Sequence, residues 1–555
     1  MNRLVVTFVI LFVWGCSSPQ THFPIPTYSD VLLGDLTANA RLDSLLHLPM
    51  MVGMDVNQDW QVIATDTVGG LNPTIPSFDS SESVTLPHRI LLPNSPIWYR
   101  TSVPLDNGVL HIRADDGAQL WLNGQRAHRL TGEYFPIHAT SNQPTEITIR
   151  VLNNAMEGGL RSVQWIAQKG WSDYQSTQQK HYDQWITERK LSLIHPDLKQ
   201  ADLSVYPAML TDPYWQAAND SLYLRWQSEG IEQAILRFGK DSLDLNLHKT
   251  VSGVSGNFLT SFPSFENIIY YQIQQGKTQS QIYSFQKQMV KDTFQLALWG
   301  DSQGGWTTFG QLISRMNEHE PAFGLGAGDL VDQGSDRFAY LQFVEALSQS
   351  TFVHYPVPGN HDYDGYYDDL HPKNYFEFAA LPHQKQYFSW TEGNCAFIAL
   401  DPDERFPVGI PEGSAQYDWF IEQIHSSAWV SAEWRWIVLH HPPYSQGWPG
   451  YHGEVSILEL LEPLFESTRI DLVVAGHSHD YERLIRQFGA QKTAFLVVGG
   501  GGGGLEPSGL SDWPVMDTVI KKHHYGIATV QGKSLTFRAY DLENQLMDSL
   551  TLTHQ

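Results

Sequence analysis

IDLVVAGHSHDYER, Ile470 to Arg483, is a short apolar run that closes on two histidines one residue apart. Side chains two apart on a pleat point the same way, so His477 and His479 leave the strand end together, aimed at one point. Six further apolar runs follow Lys291: QLALWGD, AFGLGAGD, FVHYPVPGNHD, CAFIALDPD, WRWIVLHHPP and AFLVVGGG. Helical or loop segments such as FGQLISRMNEHE and ILELLEPLF separate them. Buried strands that alternate with helices make an α/β domain. Six of the seven runs end in Asp, Asn or His, at the carboxyl ends where open α/β sheets place their ligands.

The strand ends supply Asp301 in GDSQ, Asp329 in GDLVDQG, Asn360 in GNHD, His440 in LHHPP, and His477 with His479 in GHSHDYER. Glycines in these motifs permit close turning or backbone approach beside a metal-binding side chain. In this order the motifs resemble the signature of the calcineurin-like metallophosphoesterases, over roughly the last half of the chain. The resemblance implies a four-layer α/β/β/α domain that holds two metal ions. It puts Asp301, Asp329 and His479 on the first ion; Asp329 bridges to the second, which Asn360, His440 and His477 complete. Two divalent ions about 3.5–4 Å apart repel strongly, so a shared carboxylate belongs between them, and the pair clamps attacking and leaving oxygens. Carboxylate, amide and imidazole donors without thiolate suit Mn, Fe or Zn and exclude Cu(I) and iron–sulfur clusters.

Two positions depart from common family patterns. Gln303 stands where many members carry a histidine, and its amide oxygen is counted as a further metal donor. Purple acid phosphatases carry a tyrosine three residues after the bridging Asp, where this chain has Asp332, so no tyrosinate-to-iron colour is expected. GHSHDYER resembles the purple acid phosphatase form, whereas GDLVDQG resembles the Ser/Thr phosphatase form, in which the second Asp pairs with the histidine of GNH. By that resemblance His361 contacts the phosphoryl oxygen or protonates the leaving group, and the Asp332 carboxylate holds its tautomer.

His452, in the loop after the His440 strand, and Arg483 are the expected substrate contacts. Asp362 reads as a loop-capping carboxylate. His441 should point away from the site, since neighbours on a strand face opposite ways. The run VVGGGGGGLEP lacks a following Lys-Ser or Lys-Thr and reads as a turn after a strand, and His523-His524 as the start of another.

Ahead of Lys291 the pattern is all-β. IWYRTSVPL, GVLHIRAD, AQLWLNG, TEITIRVLN and SVQWIAQ alternate apolar with polar residues, the mark of half-buried strands. Residues 48–170 are expected to form a β-sandwich resembling the jelly-roll, galactose-binding-like modules of secreted glycosidases, a spacer or a glycan contact. A connecting helix is expected over 171–200, and a second sandwich over 201–290 that resembles the fibronectin-type-III-like domain of purple acid phosphatases. Residues 291–555 are left for the catalytic domain.

The chain has 555 residues, enough for about three or four domains. Its formal charge of -25 argues against a nucleic-acid-binding surface, so attraction of an anionic substrate must be local, from bound cations. Cysteines number only two, so there is no disulfide framework; Cys395 sits in an apolar run as a small buried hydrophobe. MNRLVVTFVILFVWGCSS has a basic residue, an apolar segment and Gly15-Cys16, which resembles a bacterial lipoprotein signal over residues 1–16. A plain signal peptide or uncleaved anchor is the alternative, with 17–47 as a tether. The chain is thus expected to be exported, as an outer-membrane or periplasmic lipoprotein held to the membrane by lipid on Cys16.

The expected function is hydrolysis of phosphate esters by direct attack of a metal-activated hydroxide, foremost a phosphomonoesterase like the acid phosphatases. Phosphodiesters or nucleotide pyrophosphates are the alternative substrates, which Gln303 favours. An alternative of another class is a glycan-binding surface lipoprotein with an inactive phosphoesterase half.

Overall fold

The computed structural model describes residues 24–25, 53–64, 73–92, 94–114, 117–130, 132–138, 143–153, 157–192, 206–218, 221–263, 267–276, 278–288, 290, 293–363, 371–381 and 385–554. The signal segment, Cys16 and nearly all of the tether lie outside them.

Alternating runs make the first unit. A six-stranded antiparallel sheet centres on Ser95–Val103 and Thr145–Asn153, and a four-stranded one on Gly108–Ala114 and Leu160–Ala167. Successive side chains on a strand point to opposite faces, so Ile97, Tyr99, Ile147 and Ile149 share one face. They enter one core with Leu110, Ile112 and Val163 of the other sheet. The intervening Trp98 packs instead with Trp121 and Phe78 in a separate cluster.

A helix, Gln168–Ser192, leads away. Trp171 packs with Val109 and Ile166, while Trp185 and Ile186 reach the main core, so a largely polar helix is held by a few large side chains. Antiparallel strands from Ala208–Met209 to Tyr283–Phe285 follow. Leu247–Val254 pairs first with Gln233–Gly239 and then, at Gly253 and Val254, with Asn257–Pro263. This β region does not stand apart from what comes next. Tyr214–Ala218 pairs in parallel with Val353–Val357 through Gln216 and His354, and Leu224 and Trp226 share a core with Leu296, Phe309 and Phe343. The change of periodicity near Lys291 therefore separates two patterns but not two cores.

The last part has two facing sheets. One runs Val353–Val357, Phe323–Ala327, Thr293–Trp299, His524–Gln531, Ser534–Asp541 and Leu546–Thr553; its first three strands are parallel. The other runs Phe388–Glu392, Cys395–Ala399, Trp434–Val438, Leu472–Ala475, Gln491–Val498, Tyr481–Phe488 and Thr518–Ile520. Phe397, Trp436 and Val474 face the first sheet, while Ile398, Ile437 and Val473 face the helices Ala415–Ile424 and Val455–Leu461. Helices Trp306–Asn317 and Arg337–Ser348 cover the first sheet through Phe309, Leu312, Phe343 and Val344. Layers thus stack α/β/β/α, with every parallel strand buried on both faces.

His354 carries a stability consequence. Its ring is buried, with Trp299 Nε1 donating to Nδ1 at 3.3 Å and Nε2 beside Ser350 Oγ at 2.8 Å. Burial pushes its pKa down to about 3 from the ordinary 6.5. A group depressed on folding stabilises fully above its unfolded pKa and loses that contribution as pH falls toward its folded one, so the window here is pH 6.5 down to 3. Between pH 7 and 5 the loss is roughly 2 kcal/mol. Urea midpoints should fall less over that range for His354→Gln than for the parent; equal pH slopes would refute the assignment.

Candidate metal centre

Asp301 comes two residues after Thr293–Trp299, Asp329 two after Phe323–Ala327, and His477 two after Leu472–Ala475. All three adopt left-handed backbone, with φ of 58°, 51° and 70°. That conformation is unfavourable for residues with a Cβ and persists only where its surroundings hold it. The restraint is visible. His477 N donates to both Asp301 oxygens at 3.0 Å, and His361 N donates to Asp329 Oδ1 at 2.9 Å.

The side chains fall into two groups whose donor atoms lie within 4.8 Å of one another. Asp301, Asp329 and His479 form the first. His479 Nδ1 donates to the Gly504 carbonyl, which leaves Nε2 3.5 Å from Asp301 Oδ1. Gln303 joins them with its amide nitrogen 3.2 Å from His479 Nε2, and its Oε1 is buried without a hydrogen-bond partner among the described residues. The second group is His440, His441 and His477. His440 Nδ1 donates to the Ala327 carbonyl at 2.8 Å, turning Nε2 to within 3.1 Å of Asn360 Oδ1 and 3.2 Å of Asp329 Oδ2. Asp329 therefore belongs to the first group and touches the second.

Electrostatics fit a site made for cations. Burial opposes ionisation of Asp329, but His440 and the His361 side overcome it and hold the carboxyl below its usual range. Burial likewise opposes charging His440, yet Asp329 and Asp301 raise it to about 10. Asp301 is pushed well above the carboxylate range by burial and by Asp329. His477 is held neutral by burial and by its histidine neighbours. Crowded carboxylates share protons with imidazoles here, and divalent ions displace such protons on binding. The buried, unpartnered Gln303 Oε1 and His477 Nε2 are the polar atoms that bound ions would satisfy, so the donor set fits two metals.

Two expectations are corrected, those for the Asp332 carboxylate and for the direction of His441. His361 Nδ1 meets the Asp332 backbone carbonyl at 2.9 Å, while Asp332 itself is exposed, so this residue supplies its main chain rather than its carboxylate to the histidine. His441 points inward, because Trp434–Val438 ends before His440 and pleat alternation no longer governs the pair. His452 Nδ1 is engaged by Ser511 Oγ at 3.0 Å and by the Trp513 carbonyl. The Arg483 guanidinium is held by ion pairs, Nε with Asp548 at 2.6 Å and Nη1 with Asp517 at 3.2 Å.

Asp362 does cap the loop, accepting Gly359 N at 2.9 Å, Leu330 N at 3.2 Å and the Tyr340 hydroxyl at 3.1 Å. Cys395 is buried in its strand, and His524 begins one. The glycine run passes the site as a turn, with Gly503 N donating to the Asp301 carbonyl at 2.8 Å.

Sequence reasoning missed Trp448, Tyr451 and Asp403. The first two stack at 4.3 Å and stand 5.6 and 5.7 Å from the His477 ring, walling the second group. Asp403 Oδ1 accepts from His441 Nε2 at 2.9 Å. Its signal was the acidic end of CAFIALDPD, which no metal motif claimed.

Residues 294–481 match the calcineurin-like phosphoesterase family. Purple acid phosphatase 23 of Arabidopsis thaliana is 25% identical over 177 residues, 30% of this chain and 37% of that protein. Probable purple acid phosphatase 20 of the same plant is 33% identical over 97 residues, 16% and 22% of the two chains. The chain thus spans about a third or less of the length of these curated relatives. Among solved structures, the purple acid phosphatase PPD1 from yellow lupin (Lupinus luteus) seeds superposes with a TM-score of 0.53 at 12% identity, covering 83% of this chain and 92% of its own, a likeness of fold.

Proposed function

We propose, from a calcineurin-like phosphoesterase domain akin to that of the purple acid phosphatases, that this chain is a binuclear metal-dependent phosphoesterase acting foremost on phosphomonoesters. The observation that carries the reading is Asp329, which shares a donor group with Asp301 and His479 and lies 3.2 Å from His440 of the other group. Asp301, Asp329, His479 and Gln303 would hold one ion, and Asp329, Asn360, His440 and His477 the other. Bound there, Mn, Fe or Zn would activate water and neutralise charge on the phosphoryl oxygens.

The chain's own residues do the rest. His361 sits beside the bridging carboxylate with Nδ1–H donating to the Asp332 carbonyl, so its tautomer is set by main chain and Nε2 is the nitrogen that would meet the ester. His361→Ala should lower kcat by about 10²–10⁴-fold with both metals retained, because it is the backbone N–H, kept in the variant, that holds Asp329. Asp332→Ala should leave turnover within about twofold, as expected of an exposed side chain. Equal damage from the two variants would restore the carboxylate–histidine dyad.

The N-terminal β units are read as a jelly-roll-like spacer or glycan contact and a fibronectin-type-III-like support. The signal-like segment MNRLVVTFVILFVWGCSS supports reading the chain as exported and anchored through lipid on Cys16, with a plain signal peptide or uncleaved anchor as the alternative. To test the activity, the protein without residues 1–16 would be analysed for bound metals and assayed on a nitrophenyl phosphate monoester beside the matching diester. About two metal equivalents with monoester turnover supports the reading. Diester preference moves it to phosphodiesterase, and neither metal nor turnover moves it to a glycan-binding protein.

A further inference from the structure

Resting on the binuclear reading above, we propose that His441 is itself a ligand of the second ion, alongside His440 and His477. Metal-binding histidines divide their two ring nitrogens: one donates to a fixed protein acceptor, which sets the tautomer, and the other faces the metal. His440 does this through the Ala327 carbonyl, and His479 through the Gly504 carbonyl. His441 is divided in the same way. Its Nε2–H donates to Asp403 Oδ1 at 2.9 Å, and both residues are fully buried.

The other nitrogen has nothing to do. His441 Nδ1 is buried without a hydrogen-bond partner among the described residues, and so is His477 Nε2, on a ring whose centroid lies 4.2 Å away. Buried polar atoms are rarely left unpaired, and an ion that takes up both lone pairs accounts for the two together. His440 offers a third imidazole, with all three donor atoms within 4.8 Å of one another. Placing Asp403 behind His441 gives this ligand the carboxylate support that strengthens imidazole donors.

The consequence is asymmetry. Asp301 and Asp329 give the first ion two carboxylates and one imidazole, whereas His440, His441 and His477 give the second three imidazoles beside Asn360 and Asp329. Imidazole-rich sites suit Zn or Fe, and oxygen-rich sites accept Mn more readily, so the two positions should differ in metal preference.

Full-length protein stripped of metal would be titrated with Co(II) and with Zn(II), following stoichiometry by elemental analysis and the cobalt visible spectrum. The parent should take up two ions. His441→Phe should weaken the second by tenfold or more, leave the first unchanged, and alter the saturated cobalt spectrum; Asp403→Asn should weaken the second several-fold. Unchanged second-site affinity in His441→Phe overturns the proposal, as does weakening with the spectrum intact, which would make His441 only a prop for His477. Should His441→Phe fail to fold by circular dichroism, Asp403→Asn decides, and unaltered second-site affinity there overturns it. A parent that binds no metal overturns the binuclear reading and this ligand with it, whereas two ions bound with equal affinity by parent and His441→Phe overturn the ligand alone.

Discussion

Asp329→Asn should lower phosphomonoester turnover on the order of 10³-fold and leave the protein short of its full two metal equivalents. The reason is position. One oxygen accepts from His361 N at 2.9 Å, the other lies 3.2 Å from His440 Nε2, and the same carboxylate shares a donor group with Asp301 and His479. An amide keeps the shape but offers one acceptor oxygen and no charge, so it cannot serve both groups while offsetting repulsion between two cations. Because the amide keeps the shape, the fold should persist, but with a lowered melting temperature, since the folded protein holds this carboxylate ionised and His440 loses its charged partner. Elemental analysis, steady-state kinetics and a thermal melt read the three outcomes. Normal turnover with two metals bound would remove Asp329 from the bridge, and with it the assignment of the ligands around it.

Gly476→Ala should cost about 10²-fold or more in turnover through geometry alone. A Cβ at this position would stand 2.3 Å from Asp301 Oδ2 and 2.7 Å from the Ala327 carbonyl oxygen. Neither neighbour is a free end. Asp301 is pinned by two bonds from His477 N, and the Ala327 carbonyl orients His440, so one methyl group pushes on both metal groups at once. Gly170→Ala is the matched control, since its Cβ would find only Ile166 Cγ2 at 3.5 Å within a helix. Reduced metal affinity in Gly476→Ala with the control unchanged is the expected pattern. Full metal content and activity would mean that the loop relaxes freely, against the restraint inferred from its left-handed residues.

Ligand types were legible from order along the chain because each sits at the end of a buried strand with its glycines beside it, a local arrangement that composition and period reveal. Asp301, Asp329, Asn360, His440, His477 and His479 could be picked out one motif at a time, and they do gather at the strand ends. Second partners were not legible. Asp403 reaches His441 across 38 residues and Asp548 reaches Arg483 across 65, contacts that no local pattern encodes.

By itself, then, the sequence determined that the last half alternates strands with helices and ends its strands in metal-binding residue types, since burial period and residue chemistry are local properties; the layers and the two-ion grouping came from the family that those strand ends resemble. Tertiary structure decided which way those donors turn. Past the last residue of Trp434–Val438 no pleat dictates direction, so His441 faces inward only because Asp403 and the histidine cluster are packed there. Packing also joined the second β region to the catalytic sheet at Gln216 and His354, a pairing set by how two surfaces meet and not by either strand alone.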